Sequence, residues 1–178
     1  MNYLNTAVRY GKISMLLHWS IAFFILLALA SGFALEAAGA NGHVLLIIHL
    51  LSGSLAAGLT IFRLIWKAFI DKKMPPYPAS GKMQAMLIRF VKFFLLFLPA
   101  AIAISGIGML VTTGLTETLP FSLPQLLPDF DKTLPRTPHG IGIRVLIVLL
   151  VFHIAGAFFH YRKQDNSQPN RMPFRTQG

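Results

Sequence analysis

Four long apolar stretches constrain this chain more than any other feature of its sequence. They cover residues 13–35, 44–66, 86–112 and 139–161. Each is longer than the roughly 20 residues that a helix needs to cross a bilayer. Because little sequence remains between them, we expect one domain over residues 1–178, with a C-terminal tail at 162–178. The predicted fold is all-α, an integral membrane up-down four-helix bundle.

The basic residues are distributed unevenly between the predicted membrane faces. With the N-terminus placed inside, only three of the sixteen Lys and Arg residues fall on the outer side: Lys132, Arg136 and Arg144. Such an excess of basic residues on one side is typical of cytoplasmic loops. We therefore expect both termini and the loop 67–85 to be cytoplasmic, with some basic side chains meeting anionic lipid heads. No separate basic domain is present, so we do not expect nucleic acid as a partner.

Histidines are the residues within the spans that could carry chemistry. Four of the six histidines are the candidate functional residues: His18, His49, His139 and His153. An ionisable side chain is costly in hydrocarbon, so each suggests a functional group with a partner. The 14 residues from His139 to His153 correspond to about 21 Å of depth but only about 40° of rotation. Both can therefore face the bundle interior, one near the outer face and one in the inner half.

Depth then sorts these four histidines into two pairs on facing helices. His18 and His153 form the predicted inner pair; His49 and His139 form the predicted outer pair, provided that the last helix is tilted. Two facing histidines at one depth suit the two axial positions of a haem iron. The chain has no cysteine, which excludes disulfides, iron–sulfur clusters and covalent c-type haem attachment. The sequence thus predicts two non-covalent haems b per chain.

Other interpretations of the histidines remain open. A single one could be a packed polar group bonded to a backbone carbonyl. A proton relay is a second possibility, although no Asp or Glu lies in a predicted span and such relays usually involve one. A zinc site would need more ligands than either pair offers. His160, two turns after His153 on nearly the same face, is the rival ligand, or else contacts a propionate or quinone head at the interface.

Two basic residues could support a haem at the inner end. Arg63 lies 14 residues after His49, on a similar helix face but near the inner surface, where it could bind a haem propionate. Lys12, six residues before His18, could do the same. Both are explained equally well as topology signals of the positive-inside kind.

Several segments together resemble one known family. They are "RYGKISMLLHWS", "IIHLLSG", "FRLIWK", "TPHGIG" and "VFHIAGAFFHYRKQDNSQPNRMPF", and the chain resembles the bacterial cytochrome b561 family over nearly its whole length. The resemblance implies a four-helix inner-membrane protein with two b-type haems that exchanges electrons with the quinone pool. If the family's ligand positions are carried over to this sequence, the axial ligands would be His18, His49, His139 and His153. His160 corresponds to a family histidine just past the last ligand.

The functional prediction is a dihaem b-type cytochrome that carries electrons in the inner membrane and exchanges them with quinone. An alternative is a haem-bearing anchor subunit that passes electrons to a partner dehydrogenase or hydrogenase. A third interpretation is a haem-free small transporter or structural bundle. A redox partner protein and a second copy of the chain are candidate partners, and whether the chain is itself a quinone-linked oxidoreductase is left open.

Overall fold

The structure is a computed structural model that describes residues 3–6, 10–71, 81–118 and 125–163. In this part of the chain there are helices and turns but no strand. The α-helices are α1 (Lys12–Ala38), α2 (His43–Ile65), α3 (Lys82–Thr112), α4 (Leu115–Thr118) and α5 (Arg136–Lys163). Helices α1, α2, α3 and α5 are long and apolar enough to cross a membrane. The prediction of an all-α membrane helical bundle is confirmed.

The four long helices are arranged as two packed pairs. Helix α1 packs against α2, α3 packs against α5, and α2 joins the two pairs through its contact with α3. The turn between α1 and α2 depends on Gly39, whose φ of 57° is a conformation that side chains rarely adopt. Its N–H donates to the Leu35 carbonyl and ends α1. The sharp reversal makes α1 and α2 an antiparallel hairpin.

A buried apolar cluster fills the middle of the bundle. It consists of Ile21 and Ile25 on α1, Ala56 on α2 and Leu146 on α5. Outward-facing positions carry large exposed apolar side chains, such as Leu16 and Phe23, as expected where lipid replaces water. The cluster therefore joins the two helix pairs, while the outer faces of the helices contact lipid.

One end of the bundle, which we name the outer end after the predicted topology, is covered by the connection between α3 and α5. Leu115 and Leu127 are buried there against Leu46 of α2, and the Leu127 N–H donates to the Ala40 carbonyl at 3.0 Å. Arg136, the first residue of α5, forms ion pairs on this side. Part of the connection, residues 119–124, lies outside the described residues.

The opposite end, which we name the inner end in the same way, is covered by the segment before α1. Asp71, only 3% exposed, accepts hydrogen bonds from the Asn5 N–H at 3.0 and 3.2 Å and from the Ser14 hydroxyl at 3.4 Å. The Asn5 side chain accepts in turn from the Gly11 N–H at 2.8 Å. These bonds hold Asn5 and the first turn of α1 against Asp71, which follows the π-helical turn Trp66–Ile70 at the end of α2. Residues 72–80 of the predicted inner loop and 164–178 of the tail lie outside the described residues.

Candidate cofactor sites

The four intramembrane histidines meet in two pairs, each bridging the two halves of the bundle. His18 of α1 and His153 of α5 have ring centroids 6.1 Å apart and planes inclined at 68°. His49 of α2 and His139 of α5 are also 6.1 Å apart, with planes at 71°. We call these the inner pair and the outer pair. Helix α5 supplies one histidine to each pair.

The spacing within each pair suits a metal ion held between the two rings. Imidazoles on opposite sides of one ion, with metal–nitrogen bonds of about 2.0 Å, have ring centres about 6 Å apart. Among the described residues, no group of three or more His, Asp or Glu side chains could hold a metal. Two ligands are too few for a protein zinc site, but they complete an iron whose other four positions are filled by a macrocycle. The donor set therefore fits haem iron.

Backbone carbonyls orient both rings of the outer pair. Nδ1 of His49 lies 2.8 Å from the Ala28 carbonyl oxygen, and Nδ1 of His139 lies 3.0 Å from that of Ile102. The Ser105 hydroxyl is also 3.1 Å from Nδ1 of His139. Since a carbonyl only accepts, each Nδ1 must donate. The Nε2 lone pair of each ring is then free for a metal, the usual arrangement of a ligating histidine.

A guanidinium occupies the corresponding place at the inner pair. Nη1 of Arg63 is 3.4 Å from Nδ1 of His18. Because a guanidinium can only donate, Nδ1 is the acceptor in this contact and Nε2 carries the ring proton; ligation of a metal through Nε2 of His18 therefore requires that Arg63 leave Nδ1. Arg63 also lines a small polar cavity of about 30 Å³ together with Tyr10, Trp66 and Asp71. Nε1 of Trp66 is buried and has no hydrogen-bond partner among the residues that the structure describes. The inner pair thus contacts a cationic side chain where the outer pair contacts neutral backbone.

Small residues give the outer rings their space. A Cβ atom on Gly32 of α1 would lie 2.9 Å from Cε1 of His49, and one on Gly106 of α3 would lie 3.4 Å from Cε1 of His139. Gly32 was not among the site residues predicted from the sequence. The sequence feature that could have identified Gly32 is its spacing. Gly32 follows His18 by 14 residues, as Arg63 follows His49 and His153 follows His139. Each spacing spans the depth between the pairs on nearly one helix face.

The other predicted site residues have different positions. Nζ of Lys12 lies 5.7 Å from the ring centroid of Tyr3, and the Lys12 side chain is exposed. His160 lies within α5, but its side chain is outside the described part of the chain. His43 is the first residue of α2 and is half-buried.

The fold and its paired histidines define a class: multi-pass helical membrane proteins with histidines suited to bind haem between facing helices. The family follows from comparison with known sequences. The chain belongs to the prokaryotic cytochrome b561 family, whose model matches residues 9–174. The suspected resemblance is confirmed, and the chain is a membrane cytochrome that uses b-type haem in electron transfer. Comparison with curated proteins and with solved structures finds no match.

Proposed function

We propose that the chain is a dihaem cytochrome that carries electrons between the two faces of the inner membrane. His18 and His153 would hold one haem b, and His49 and His139 the other. The observation that carries this proposal is the 6.1 Å ring spacing, found twice in one bundle. A bound haem supplies one-electron chemistry, and the protein supplies ligation, orientation and burial.

The remaining residues have distinct proposed roles. The carbonyls of Ala28 and Ile102 fix the outer rings with Nε2 free for the iron. Arg63, half-buried beside His18, is suited to a propionate because its guanidinium can form charge-assisted hydrogen bonds with a carboxylate. Lys12 is proposed to contact a haem propionate at the inner interface, and His160 a propionate or a quinone head there.

We further propose that the electrons are exchanged with quinone, and that both termini face the cytoplasm. Family membership supports the first statement, and the basic residues at the inner end support the second. A reporter fused after Gly178 should be active only as a cytoplasmic one. Activity of a periplasmic reporter at that position would overturn the orientation.

The test of the proposed function is the haem content of the purified chain. A pyridine haemochrome assay should give two non-covalent haems b per polypeptide, with the spectrum of bis-histidine iron. In membranes, added quinol should reduce both. A content of one haem would contradict the dihaem assignment. Two haems that quinol does not reduce would contradict the proposed quinone exchange while leaving the ligand assignment standing.

A further inference from the structure

We infer that the chain has a binding site for an anionic phospholipid in a groove between α3 and α5. The phosphate of the lipid would bind at Arg144, and one acyl chain would lie along the groove toward the inner end. The residues of this site are different from those of the histidine pairs, and the inference does not depend on the proposed function. It rests on the groove itself, on the position of Arg144, and on the acidic partners of the arginines at the outer end.

The groove is an apolar depression of about 400 Å³ between the two helices. Phe90 and Val91 line it from α3, and Val148 and Phe152 line it from α5. Its volume lies within the range of about 300–1,000 Å³ that is usual for small-molecule sites. Apolar walls offer water no hydrogen-bond partners. In a membrane, the occupant of the groove therefore has a long apolar part.

Arg144 is the one charged residue among the described residues that line the groove. It lies eight residues after the start of α5, about 12 Å along the helix axis, and within the predicted span 139–161. Its side chain is exposed. Charged residues at such a depth usually face the bundle interior or a water-filled cavity and have a partner there. The exposed position of Arg144 therefore indicates a partner that comes from the membrane.

The guanidinium of Arg144 turns toward the outer end of the bundle. A Cβ atom on Gly140, one turn closer to the start of α5, would lie 3.2 Å from Nη1 of Arg144 and 3.5 Å from Nη1 of Arg136. The absence of a side chain at Gly140 thus leaves room in which two guanidinium groups meet. Long basic side chains in a membrane commonly extend toward the interface in this way. A phosphate over Gly140 would accept charge-assisted hydrogen bonds from both groups.

The two arginines differ in their acidic partners. Arg136 pairs with Glu36 through Nη2 at 3.3 Å and with Asp131 through Nε at 2.8 Å. Its remaining Nη1 is the atom that lies near Gly140. Among the residues that the structure describes, no carboxylate lies within ion-pair distance of Arg144. A phosphate would offset the charge of Arg144, and its oxygens match the fork of donors on a guanidinium.

These features favour an anionic phospholipid over other apolar occupants. A quinone has an uncharged head and would leave the charge of Arg144 unpaired. A second copy of the chain has no Asp or Glu in a predicted span, so it would cover the groove with apolar side chains. A phospholipid joins a phosphate at the interface to an acyl chain in the hydrocarbon, which is the order of Arg144 and the groove from the outer end inward. A lipid with a net negative head is favoured because no ammonium group offsets its phosphate.

The experiment measures lipid binding to the purified full chain in detergent. Phosphatidylglycerol is titrated in one arm and phosphatidylcholine with the same acyl chains in another, and bound lipids are counted by native mass spectrometry. Phosphatidylglycerol should bind more tightly, and Arg144→Gln should weaken its binding about fivefold or more. Lys132→Gln is the matched control, because it removes an exposed cation of the same end that pairs with Asp129. It should leave lipid binding unchanged.

A second pair of variants tests the groove. Val148→Trp places a large ring at a lining position and should weaken the binding of phosphatidylglycerol as much as Arg144→Gln does. Val151→Trp makes the same change at an exposed position of α5 outside the lining residues and should have no such effect. Inorganic phosphate, the third arm, should bind far more weakly than the lipid because it has no acyl chain. Should Arg144→Gln fail to fold, the lipid preference of the wild-type chain and Val148→Trp still decide.

Equal binding of the two lipids would overturn the inference, as would unchanged binding in both Arg144→Gln and Val148→Trp. Displacement of phosphatidylglycerol by a quinone at equal concentration would assign the groove to quinone instead. If Val148→Trp converts a wild-type dimer to monomers without changing lipid binding, the groove is an interface between copies of the chain. None of these measurements depends on the number of haems, so a failure here leaves the proposed function standing.

Discussion

The inner and outer histidine pairs share one geometry but are held by different parts of the protein. Ring spacing is 6.1 Å in both, yet backbone carbonyls orient the outer rings whereas the side chain of Arg63 contacts the inner one. A carbonyl contact is kept under almost any substitution that preserves the helix. A side-chain contact can be changed by one mutation. The two pairs therefore have the same ligands, but a single mutation can change the surroundings of the inner pair more readily than those of the outer pair.

The coverings of the two ends differ as well. The outer end is covered by apolar packing of Leu115 and Leu127 against α2. The inner end is covered by a polar segment that Asp71 fastens through Asn5 and Ser14. Burying apolar side chains is non-directional, while buried hydrogen bonds require fixed partners. Mutations should therefore affect the two ends separately, and the following experiments test that separation.

The largest effect should come from removing one histidine of each pair. His153→Ala should lose one of the two proposed haems, and His139→Ala should lose the other, because the two pairs are about 21 Å apart along α5. Haem-to-protein ratios and reduced spectra would measure this. His43→Ala, outside both pairs, is the control and should keep both haems. If His153→Ala keeps both while His160→Ala loses one, the inner ligand is His160.

A smaller effect, confined to the outer pair, should follow from Gly32→Ala. The added Cβ would lie 2.9 Å from Cε1 of His49, so the ring must shift. Overpacking of this kind costs about 1–3 kcal/mol, which should appear as weaker haem retention at the outer site during titration with an apo-haem acceptor. Gly58→Ala is the matched control, since its Cβ would meet nothing within 4 Å. Weakening of the inner site instead would contradict the separation.

The inner end should respond to Asp71→Ala. The change leaves the buried Asn5 N–H without its acceptor, at a cost of about 1–3 kcal/mol. We expect a lower midpoint of thermal unfolding and faster proteolysis of the segment before α1. Asp129→Ala removes a carboxylate that is 52% exposed and pairs with Lys132. That variant should change stability by less than about 1 kcal/mol. Equal effects of the two variants would argue against the conclusion that Asp71 holds the segment before α1 in place.

The smallest effect should follow from Ser105→Ala. The Ser105 hydroxyl lies 3.1 Å from Nδ1 of His139, but the Ile102 carbonyl at 3.0 Å remains as acceptor. The potential of the haem proposed at the outer pair should therefore change by less than a tenfold shift in the reduction equilibrium, below about 59 mV. A redox titration measures it. A shift above that limit would mean that the Ser105 hydroxyl, and not the Ile102 carbonyl alone, tunes the outer site.

The fold and the approach of the histidines to one another were predictable because an α-helix is regular. A rise of 1.5 Å and a turn of about 100° per residue fix depth and direction from spacing alone. Gly32 could have been found in the same way, since it repeats the 14-residue spacing on α1. Helical periodicity thus carries most of the information about which residues can share one level of the bundle.

Other features could not be read from the sequence, for physical reasons. Every residue has a backbone carbonyl, so the amino-acid sequence does not reveal that the carbonyl of Ala28 or Ile102 accepts a hydrogen bond from a histidine. The bond between Asn5 and Asp71 joins residues 66 positions apart through an irregular segment, where no periodicity applies. Lys12, predicted beside the inner pair, lies over Tyr3 because a long flexible side chain can follow the surface.

Leu146 lies seven residues from both histidines of α5 and is packed against Ile21, Ile25 and Ala56. An apolar layer of this kind is a poor place for water or a hydrated ion, but an electron can tunnel through it. Transfer between the proposed haems would therefore separate charge across about two thirds of a roughly 30 Å hydrocarbon core. Each inward electron would work against an inside-negative voltage, which costs up to about 2.3 kcal/mol per 100 mV for a full crossing. Transfer in that direction would then be electrogenic, and it would slow as the inside becomes more negative.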